Sequence, residues 1–403
     1  MPSPAPARSE LVYLDNAATT AVHPRVAEAV LAAMLEGFGN PSSRHHLGAR
    51  AREAVEQARR EVAALIGADP EEIVFTGGGT EANNAAVFGA ARARAHRGRH
   101  VVVSAVEHPS VLEPAKALAR EGFQVTLVPP GPDGVVAAQR FLDALTPDTV
   151  LVSLMMVNNE VGAVMPVAEI AAATRSRSPH AAVHCDLVQA AGRLPVDVHR
   201  LNVDLASLSA HKLHGPKGVG ALYVRKDVGL QPLLLGGGQE RGLRSGTENV
   251  PGIVGFGVAA RLAFDELPAT PARLRRLSQL LWEGLREAYP HARRLGPLDP
   301  ERQAPHILPV AFEGLRAEVV ANHLDEVGVM ASVGSACSSH HRQRVSHVLK
   351  AMAVPQRLAE SAVRFSVGLL TTEEEISQAV RRIRPILAEL AAFASGEPAR
   401  RGR

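Results

Sequence analysis

Residues 205–224 read LASLSAHKLHGPKGVGALYV and contain two apolar runs, LASLS (205–209) and VGALYV (219–224). The nine residues between them, AHKLHGPKG, are too few for a helical crossover between parallel strands. The two runs are therefore predicted to form neighbouring antiparallel strands. The connection contains glycine, histidine and lysine, which are common in functional sites. The same stretch is therefore informative about function as well as about the fold.

Five further apolar runs precede this stretch, and helix-like segments separate most of them. The runs are EIVFT (72–76), HVVVS (100–104), QVTLV (124–128), VLVSLMMV (150–157) and AAVHCD (181–186). Near-continuous apolarity is typical of strands that are buried on both faces. The alternation with amphipathic segments such as VAEIAAATRSR predicts an α/β fold, with a mainly parallel seven-stranded sheet and helices on both faces.

The composition is that of an ordinary globular protein. Of 403 residues, 46% are hydrophobic and 21% are charged, and the formal net charge is +3. Aromatic residues make up only 3%, and no arginine block is interleaved with them, so nucleic-acid binding is not expected. No run approaches the roughly 20 apolar residues that span a bilayer, and MPSPAPARSE does not resemble a secretory signal. Since two cysteines cannot form a disulfide framework, a cytoplasmic protein without a membrane partner is expected.

Lysine is rare in this chain, which uses arginine for most of its cations. An arginine cannot replace a lysine whose amine must deprotonate and react. Lys212 lies three residues after the end of the strand LASLS and is predicted to be such an amine, whereas Lys217 in GPKG is interpreted as a turn residue. The five lysines are Lys116, Lys212, Lys217, Lys226 and Lys350.

Polar residues follow several predicted strands at their carboxyl ends, where ligands bind in open α/β sheets. Gly79 and Thr80 open a helix after EIVFT, which suits a phosphate but also an ordinary helix start. His108 and Asn159 follow two other strands, and Asp186 is the last residue of a third. Singly, these fit a loop histidine, a turn asparagine and a helix-capping aspartate. Their coincidence at one edge of one sheet favours a functional site.

Together with Lys212, these residues match the requirements of pyridoxal 5′-phosphate. A lysine amine forms a Schiff base with the cofactor aldehyde. A buried carboxylate keeps the pyridine nitrogen protonated, so that the ring can withdraw electrons. A histidine can stack on the ring, and a helix start can hold the phosphate. The sequence therefore predicts an enzyme that uses this cofactor.

Nine motifs lie along the chain in a fixed order: YLDNAATT (13–20), GNPSS (39–43), TEANN (80–84), EHPSV (107–111), VNNEVG (157–162), SAHKLHGPKGVG (209–220), GGGQERGLRSGTEN (236–249), GSACSS (334–339) and RFSVG (364–368). Over roughly residues 11–390, this set resembles the cysteine desulfurases of the nitrogen-fixation and iron–sulfur-cluster type. Those enzymes belong to the class V aminotransferase group of fold-type I pyridoxal-phosphate enzymes.

The resemblance implies roles for the residues around the cofactor. Lys212 is implied to be the Schiff-base lysine, Asp186 to pair with the pyridine nitrogen, and His108 to stack on the ring and act in catalysis. Gln189 is implied to contact the phenolic oxygen, and Asn159 the ring substituents. The residues implied to hold the phosphate are Gly79, Thr80, Ser209 and His211.

The resemblance also implies a substrate contact and a second subunit. Arg364, together with Asn159, would bind the substrate carboxylate, a bidentate task that suits a planar guanidinium. Thr247 would reach the phosphate of the partner subunit, which implies a homodimer with shared sites.

The two cysteines have different surroundings in the sequence. Cys185 lies inside the apolar strand AAVHCD and is predicted to be a buried structural thiol. Cys337 lies between serines and precedes several cations, which favour a thiolate; by resemblance it is the catalytic nucleophile. The polar segment 335–345 is expected to be mobile. His340 and His341 do not complete a closed metal shell with Cys337, so no metal is expected.

The resemblance implies conversion of L-cysteine to L-alanine, with the sulfur held as a persulfide on Cys337. The sulfur would serve iron–sulfur cluster assembly or other delivery, through an acceptor protein such as a cluster scaffold or carrier. HHRQRV (340–345) departs from the Glu-Pro pair of many desulfurases, which puts the choice of partner in question. This loop and VMASVGSAC (329–337) are also similar to selenocysteine lyases, so L-selenocysteine is the alternative substrate. A class V aminotransferase, which needs no thiol, and an inactive sulfur-carrier partner are less favoured.

The residue pattern changes near residue 263, where an arginine-rich helical stretch is followed by a region of mixed helix and strand patterns. We predict a large cofactor-binding domain over residues 19–262. Residues 1–18 and 263–395 are predicted to form a small α+β domain that carries the catalytic cysteine loop, and residues 396–403 a disordered tail.

Overall fold

The computed structural model describes residues 11–333 and 346–394, and strands and helices alternate along most of them. Cys337 and the rest of the 335–345 loop, as well as the C-terminal tail, lie outside the described residues. The strands are β1 (Val12–Tyr13), β2 (Ile73–Thr76), β3 (His100–Ser104), β4 (Gln124–Val128), β5 (Thr149–Met155), β6 (Ala182–Asp186), β7 (Leu205–Ser209), β8 (Gly220–Val224), β9 (Ala292–Arg294), β10 (Ile307–Phe312), β11 (Val329–Met330), β12 (Ser332–Val333) and β13 (Ala362–Ser366). The helices are α1 (Pro24–Leu35), α2 (His46–Ile66), α3 (Gly79–Ala93), α4 (Pro109–Arg120), α5 (Ala138–Ala144), α6 (Val167–Arg177), α7 (Val198–Leu201), α8 (Val250–Glu266), α9 (Thr270–Ala288), α10 (Ala317–Glu326), α11 (His347–Ala351), α12 (Gln356–Ala359) and α13 (Glu373–Ala394).

The main sheet has seven strands in the order β2-β8-β7-β6-β5-β3-β4. The strands β7, β6, β5, β3 and β4 are all parallel to their neighbours within this group. β8 is antiparallel to β7, with Ser209 opposite Gly220 at the turn end of the pair. The predicted mainly parallel sheet and the antiparallel pair in residues 205–224 are therefore confirmed.

Both faces of this sheet are covered by helices. Val102 of β3 belongs to a hydrophobic core that includes residues of α2 and α8. Its neighbours Val101 and Val103 belong to another core, which includes residues of α3 and α4. Successive side chains of a strand point to opposite faces, so both faces of β3 are buried. This arrangement explains why the strand sequences are apolar without alternation.

The strand β4 differs from the expectation that all seven strands are buried. It lies at one end of the sheet order and has a single strand neighbour, β3. Leu127 is 47% exposed, and Gln124 is also exposed. The residues of β4 are therefore covered less completely than those of the central strands, whereas β2, at the other end of the sheet, is buried throughout.

A separate hydrophobic core lies beside a four-stranded antiparallel sheet in the order β12-β13-β10-β9. It combines Val12 and Leu14 from the start of the described chain with side chains of α9, α10 and α13. β1 pairs in parallel with β11, which brings residues 12–15 next to this second sheet. The N-terminal segment thus passes from the second core toward the carboxyl edge of the main sheet.

Candidate active site

The carboxyl ends of six of the seven strands lie at one edge of the main sheet. β8 is antiparallel to both β7 and β2, so β2 runs in the same direction as β7. The residues that follow β2, β3, β5, β6 and β7 consequently lie along the same edge. This edge is where the sequence predicted a functional site.

A cavity of about 500 Å³ opens at this edge. It is also lined by Lys217, which had been interpreted as a turn residue only. Thr247 is exposed and does not line it, and Cys337 lies outside the described residues. The other predicted site residues all line the cavity: Gly79, Thr80, His108, Asn159, Asp186, Gln189, Ser209, His211, Lys212 and Arg364.

One end of the cavity is formed by glycines at the start of α3. Gly78 has φ +143°, a conformation that favours glycine, and no atom lies near the position of an added Cβ. A Cβ on Gly79 would lie 3.3 Å from Cβ of Ser209, so the two segments approach closely. Free N–H groups at a helix start attract anions. Burial, followed by the charges of Lys212 and Lys217, lowers the pKa of the adjacent His211 to about 4.

A chain of hydrogen bonds joins Asp186 to His108. Asn83 donates from Nδ2 to Asp186 Oδ2 and to Ser110 Oγ, both at 2.8 Å. The Val188 N–H donates to Asp186 Oδ1 at 2.9 Å, so both carboxylate oxygens are held. Ser110 Oγ lies 2.7 Å from His108 Nδ1. The carboxylate and the imidazole are thus oriented by one network.

The network also determines which ring nitrogen of His108 carries a proton. The Ser110 N–H donates to His108 Nδ1 at 3.1 Å, so Nδ1 must be an acceptor. In a neutral imidazole the proton is then on Nε2. Burial lowers the pKa of His108, although the charge of Asp186 acts in the opposite direction. His108 is therefore a neutral imidazole with its proton on Nε2.

The Ala17 carbonyl brings two cavity side chains together. Lys212 Nζ donates to the carbonyl oxygens of Ala17 and Ala18, at 2.5 and 2.6 Å. Gln189 Nε2 donates to the same Ala17 oxygen at 2.8 Å. These alanines belong to YLDNAATT, so the N-terminal segment fixes the position of the amine.

Arg364 enters the cavity from β13 of the second sheet and is buried. It forms an ion pair with Asp15 at 2.9 Å and donates from Nη1 to the Asn159 carbonyl at 2.8 Å. Its Nε has no hydrogen-bond partner among the described residues. The guanidinium therefore retains donor capacity for a carboxylate, with Asp15 holding its orientation.

Glu107 is a fully buried carboxyl group beside His108. Its Oε1 accepts from the Met155 N–H at 2.7 Å, while Oε2 has no hydrogen-bond partner among the residues that the structure describes. Burial, with a smaller effect of the Asp186 charge, raises the pKa of Glu107 to about 8. The folded protein therefore keeps this carboxyl protonated at neutral pH.

We expect Glu107→Gln to stabilise the protein more at about pH 9 than at about pH 5. Because the folded pKa is raised, the stability that Glu107 contributes is present below the unfolded pKa of 4.5 and is lost as pH rises toward about 8. Glutamine does not titrate, so the difference in free energy of unfolding between variant and wild type should grow with pH. Denaturant unfolding at both pH values measures it. The exposed Glu113→Gln should show no such trend, and an equal difference at both pH values would contradict the assignment.

Several residues of the site were not singled out from the sequence. Asn83, Ser110, Asp15 and Glu107 act as partners of predicted residues, yet each lies inside a quoted motif: TEANN, EHPSV or YLDNAATT. Membership of these motifs was therefore the sequence signal that could have identified the four residues. What the sequence did not show is which side chain each of these residues contacts.

Comparisons with known proteins point to one family of enzymes. A family model described as aminotransferase class-V matches residues 12–379. The chain is 45% identical over 387 residues to the cysteine desulfurase IscS of Aeromonas hydrophila, covering 94% of this chain and 93% of that protein. A solved structure described as a NifS-like protein superposes with a TM-score of 0.88 at 40% identity, covering 94% of this chain and 99% of the other. SspA, solved in complex with cysteine, gives 0.78 at 35% identity, with 88% and 98% covered.

Proposed function

The chain belongs to the aminotransferase class-V family and, within it, to the cysteine desulfurases, and from this premise we propose that it converts L-cysteine to L-alanine while Cys337 retains the sulfur as a persulfide. The observation that carries the proposal is the convergence of Lys212, Asp186, His108 and Arg364 on one cavity. An amine, a buried carboxylate, an imidazole and a carboxylate-binding guanidinium are the groups that this reaction requires.

The family implies pyridoxal 5′-phosphate as the cofactor, and the residues of the cavity fit it. The glycine-rich start of α3 suits a phosphate, and the Asp186 carboxylate suits a protonated pyridine nitrogen. In the proposal, His108 would stack on the ring, Gln189 would contact the phenolic oxygen, and Asn159 would contact the ring substituents. The phosphate is held by Gly79, Thr80, Ser209 and His211. When bound, the cofactor supplies an aldehyde that captures amines and a ring that withdraws electrons from the substrate.

The side chains of this chain then orient the substrate and move its protons. Arg364 binds the substrate carboxylate in a bidentate manner, with Asp15 fixing the guanidinium. Lys212 Nζ, held next to the Ala17 and Ala18 carbonyls, takes the proton from the substrate Cα. His108 exchanges a proton at Nε2, since its Nδ1 is occupied by Ser110.

Cys337 performs the sulfur transfer in this proposal. Its thiolate attacks the substrate sulfur, so that a sulfur–sulfur bond forms while the bond between that sulfur and Cβ breaks. The electron pair of the broken bond stays on Cβ, which takes up a proton and becomes the methyl group of alanine. No external oxidant is required, because the carbon is reduced as the sulfur is oxidised.

We propose a homodimer in which Thr247 contributes to the partner's phosphate site. Exposed apolar side chains on and after α1 support an interface: Leu31, Met34, Leu35 and Phe38 are between 57% and 70% exposed. Leu235, in the segment that leads to Thr247, is 82% exposed. An apolar cluster of this kind marks an interaction surface. Light scattering should give twice the mass of one chain; the mass of a single chain would contradict the proposal.

A persulfide on Cys337 must pass its sulfur to an acceptor before the next turnover, and we propose that the acceptor is a protein, such as a cluster scaffold or a carrier, which the enzyme meets in the cytoplasm. None of the described helices is both long and apolar enough to cross a membrane. Transfer of labelled sulfur from the persulfidated enzyme to a candidate acceptor would identify the partner. Fractionation that recovers the protein with membranes would contradict the location.

The function is tested by supplying L-cysteine to the wild-type protein loaded with pyridoxal phosphate. Alanine should form, and one persulfide sulfur should appear on the protein before any acceptor is added. Specificity constants for L-cysteine and L-selenocysteine decide the substrate. If only L-selenocysteine reacts, the enzyme is a lyase for that amino acid. If amino groups pass to a keto acid without sulfur release, it is an aminotransferase, and absence of any turnover fits an inactive carrier.

A further inference from the structure

His306 immediately precedes β10 and is fully buried behind the cavity. It does not line the cavity itself, but its Nε2 lies 3.2 Å from Oε1 of Gln189, which does. The contact joins residues that are far apart in the sequence, one in the main sheet region and one beside the second sheet. Nothing in the proposed reaction uses this imidazole.

The hydrogen bonds of Gln189 define the protonation of His306. An amide oxygen only accepts hydrogen bonds, so His306 Nε2 must carry the hydrogen that Gln189 Oε1 receives. His306 Nδ1 has no hydrogen-bond partner among the described residues. The ring is thus a neutral imidazole that serves Gln189 as a single, directed donor.

Charged neighbours keep the ring in this form. Burial, followed by the positive charges of Arg193, Arg364 and Lys212, lowers the pKa of His306 well below its usual value. Arg193 is itself buried and donates to the Lys212 carbonyl oxygen. A second proton on His306 would add a cation to this group, so burial and the neighbouring charges both favour the neutral imidazole.

The consequence is a fixed orientation of the Gln189 amide. Oε1 faces His306, and one hydrogen of Nε2 is donated to the Ala17 carbonyl. The second Nε2 hydrogen is left for an acceptor in the cavity. If the amide rotated by half a turn, Oε1 would face the Ala17 carbonyl and the ligand oxygen, both of which are acceptors.

We infer that His306 is a positioning residue that locks the Gln189 amide so that it presents an N–H donor to an oxygen of the bound cofactor. The inference rests on the proposed function, because it requires pyridoxal phosphate in the cavity. The role inferred for His306 is distinct from that of Gln189, because His306 acts only through the Gln189 amide.

The test compares His306→Phe, which fills similar space without a donor, with His306→Gln, whose side-chain amide can donate from about the same place. Loss of one neutral hydrogen bond should raise the dissociation constant for pyridoxal phosphate roughly five- to tenfold in His306→Phe. The pH midpoint of the visible absorption of the loaded protein should rise by about half a unit to one unit, because a donor to an oxygen that bears negative charge stabilises the deprotonated form. In His306→Gln, the dissociation constant should lie within about twofold of wild type. The pH midpoint should differ from wild type by no more than the equivalent of that twofold change.

Further measurements separate positioning from mere packing. In a Gln189→Ala background, adding His306→Phe should change neither readout further, because the amide on which His306 acts is absent. A His306→Phe variant that melts at a lower temperature but keeps the wild-type dissociation constant and spectrum would overturn the inference. Should that variant not fold, His306→Leu provides the same comparison. A wild-type protein that takes up no pyridoxal phosphate would contradict the proposed function itself, and this inference with it.

Discussion

Lys212→Ala is expected to lower the turnover of L-cysteine by at least about 1000-fold, since the substitution removes both the amine that reacts with the cofactor and the base that takes the Cα proton. The visible absorption of the loaded wild-type protein should also be lost from the variant after dialysis, because the covalent link to the cofactor cannot form. Rate measurements and absorption spectra on dialysed protein test the two statements separately. Free primary amines added to the assay should restore part of the rate, since they can replace the missing base.

Lys226→Ala is the matched control, because Lys226 is exposed and does not line the cavity. It should retain wild-type turnover and spectrum. Lys217→Ala is more informative, since Lys217 lines the same cavity as Lys212. If Lys217→Ala, and not Lys212→Ala, eliminated the visible absorption, the assignment of the reactive lysine would be wrong.

The strands of the main sheet could be predicted from the sequence because burial on both faces leaves a local signature. The run HVVVS coincides with β3, and VAEIAAATRSR coincides with α6. The order of strands leaves no such signature, since it depends on which distant segments pair. The sequence therefore did not show that QVTLV forms an edge strand, where Leu127 is partly exposed.

The predicted site residues could be found because parallel strands bring their carboxyl ends to one edge. The hydrogen bonds among these residues could not be predicted, because a bond such as the one from Asn83 to Asp186 spans 103 positions and depends on side-chain rotamers. The contact of His306 with Gln189 spans 117 positions. Such pairs become visible only when the fold is known. The division of the chain at residue 263 and the roles of individual side chains stay predictions.

The segment that carries Cys337 lies outside the described residues, but the residues that flank it on either side are described. Ser332 is paired with Arg364 across the strands β12 and β13, and its hydroxyl donates to Asp15 at 2.7 Å. On the other side, His347 Nε2 donates to the Glu107 carbonyl at 2.9 Å. Both ends are thus attached to residues that adjoin the cavity.

Cys337→Ala is therefore expected to lower alanine formation from L-cysteine by about 1000-fold or more, because no other described or predicted group supplies a thiolate to the substrate sulfur. The visible absorption of the loaded protein should remain that of wild type, since Cys337 has no role in holding the cofactor. Quantifying alanine and recording the spectrum of the same sample separates loss of the nucleophile from loss of the cofactor.

Cys185→Ala is the natural control, because Cys185 is the one other cysteine of the chain and is fully buried in β6. Burial, with a smaller effect of the Asp186 charge, raises the pKa of the Cys185 thiol well above its usual value, which makes it a poor nucleophile. This variant should lose some stability through the small cavity that it creates, but it should still form the persulfide. If Cys337→Ala desulfurated cysteine at a rate near that of wild type, the sulfur would have another acceptor, and the loop of residues 335–345 would serve a different purpose.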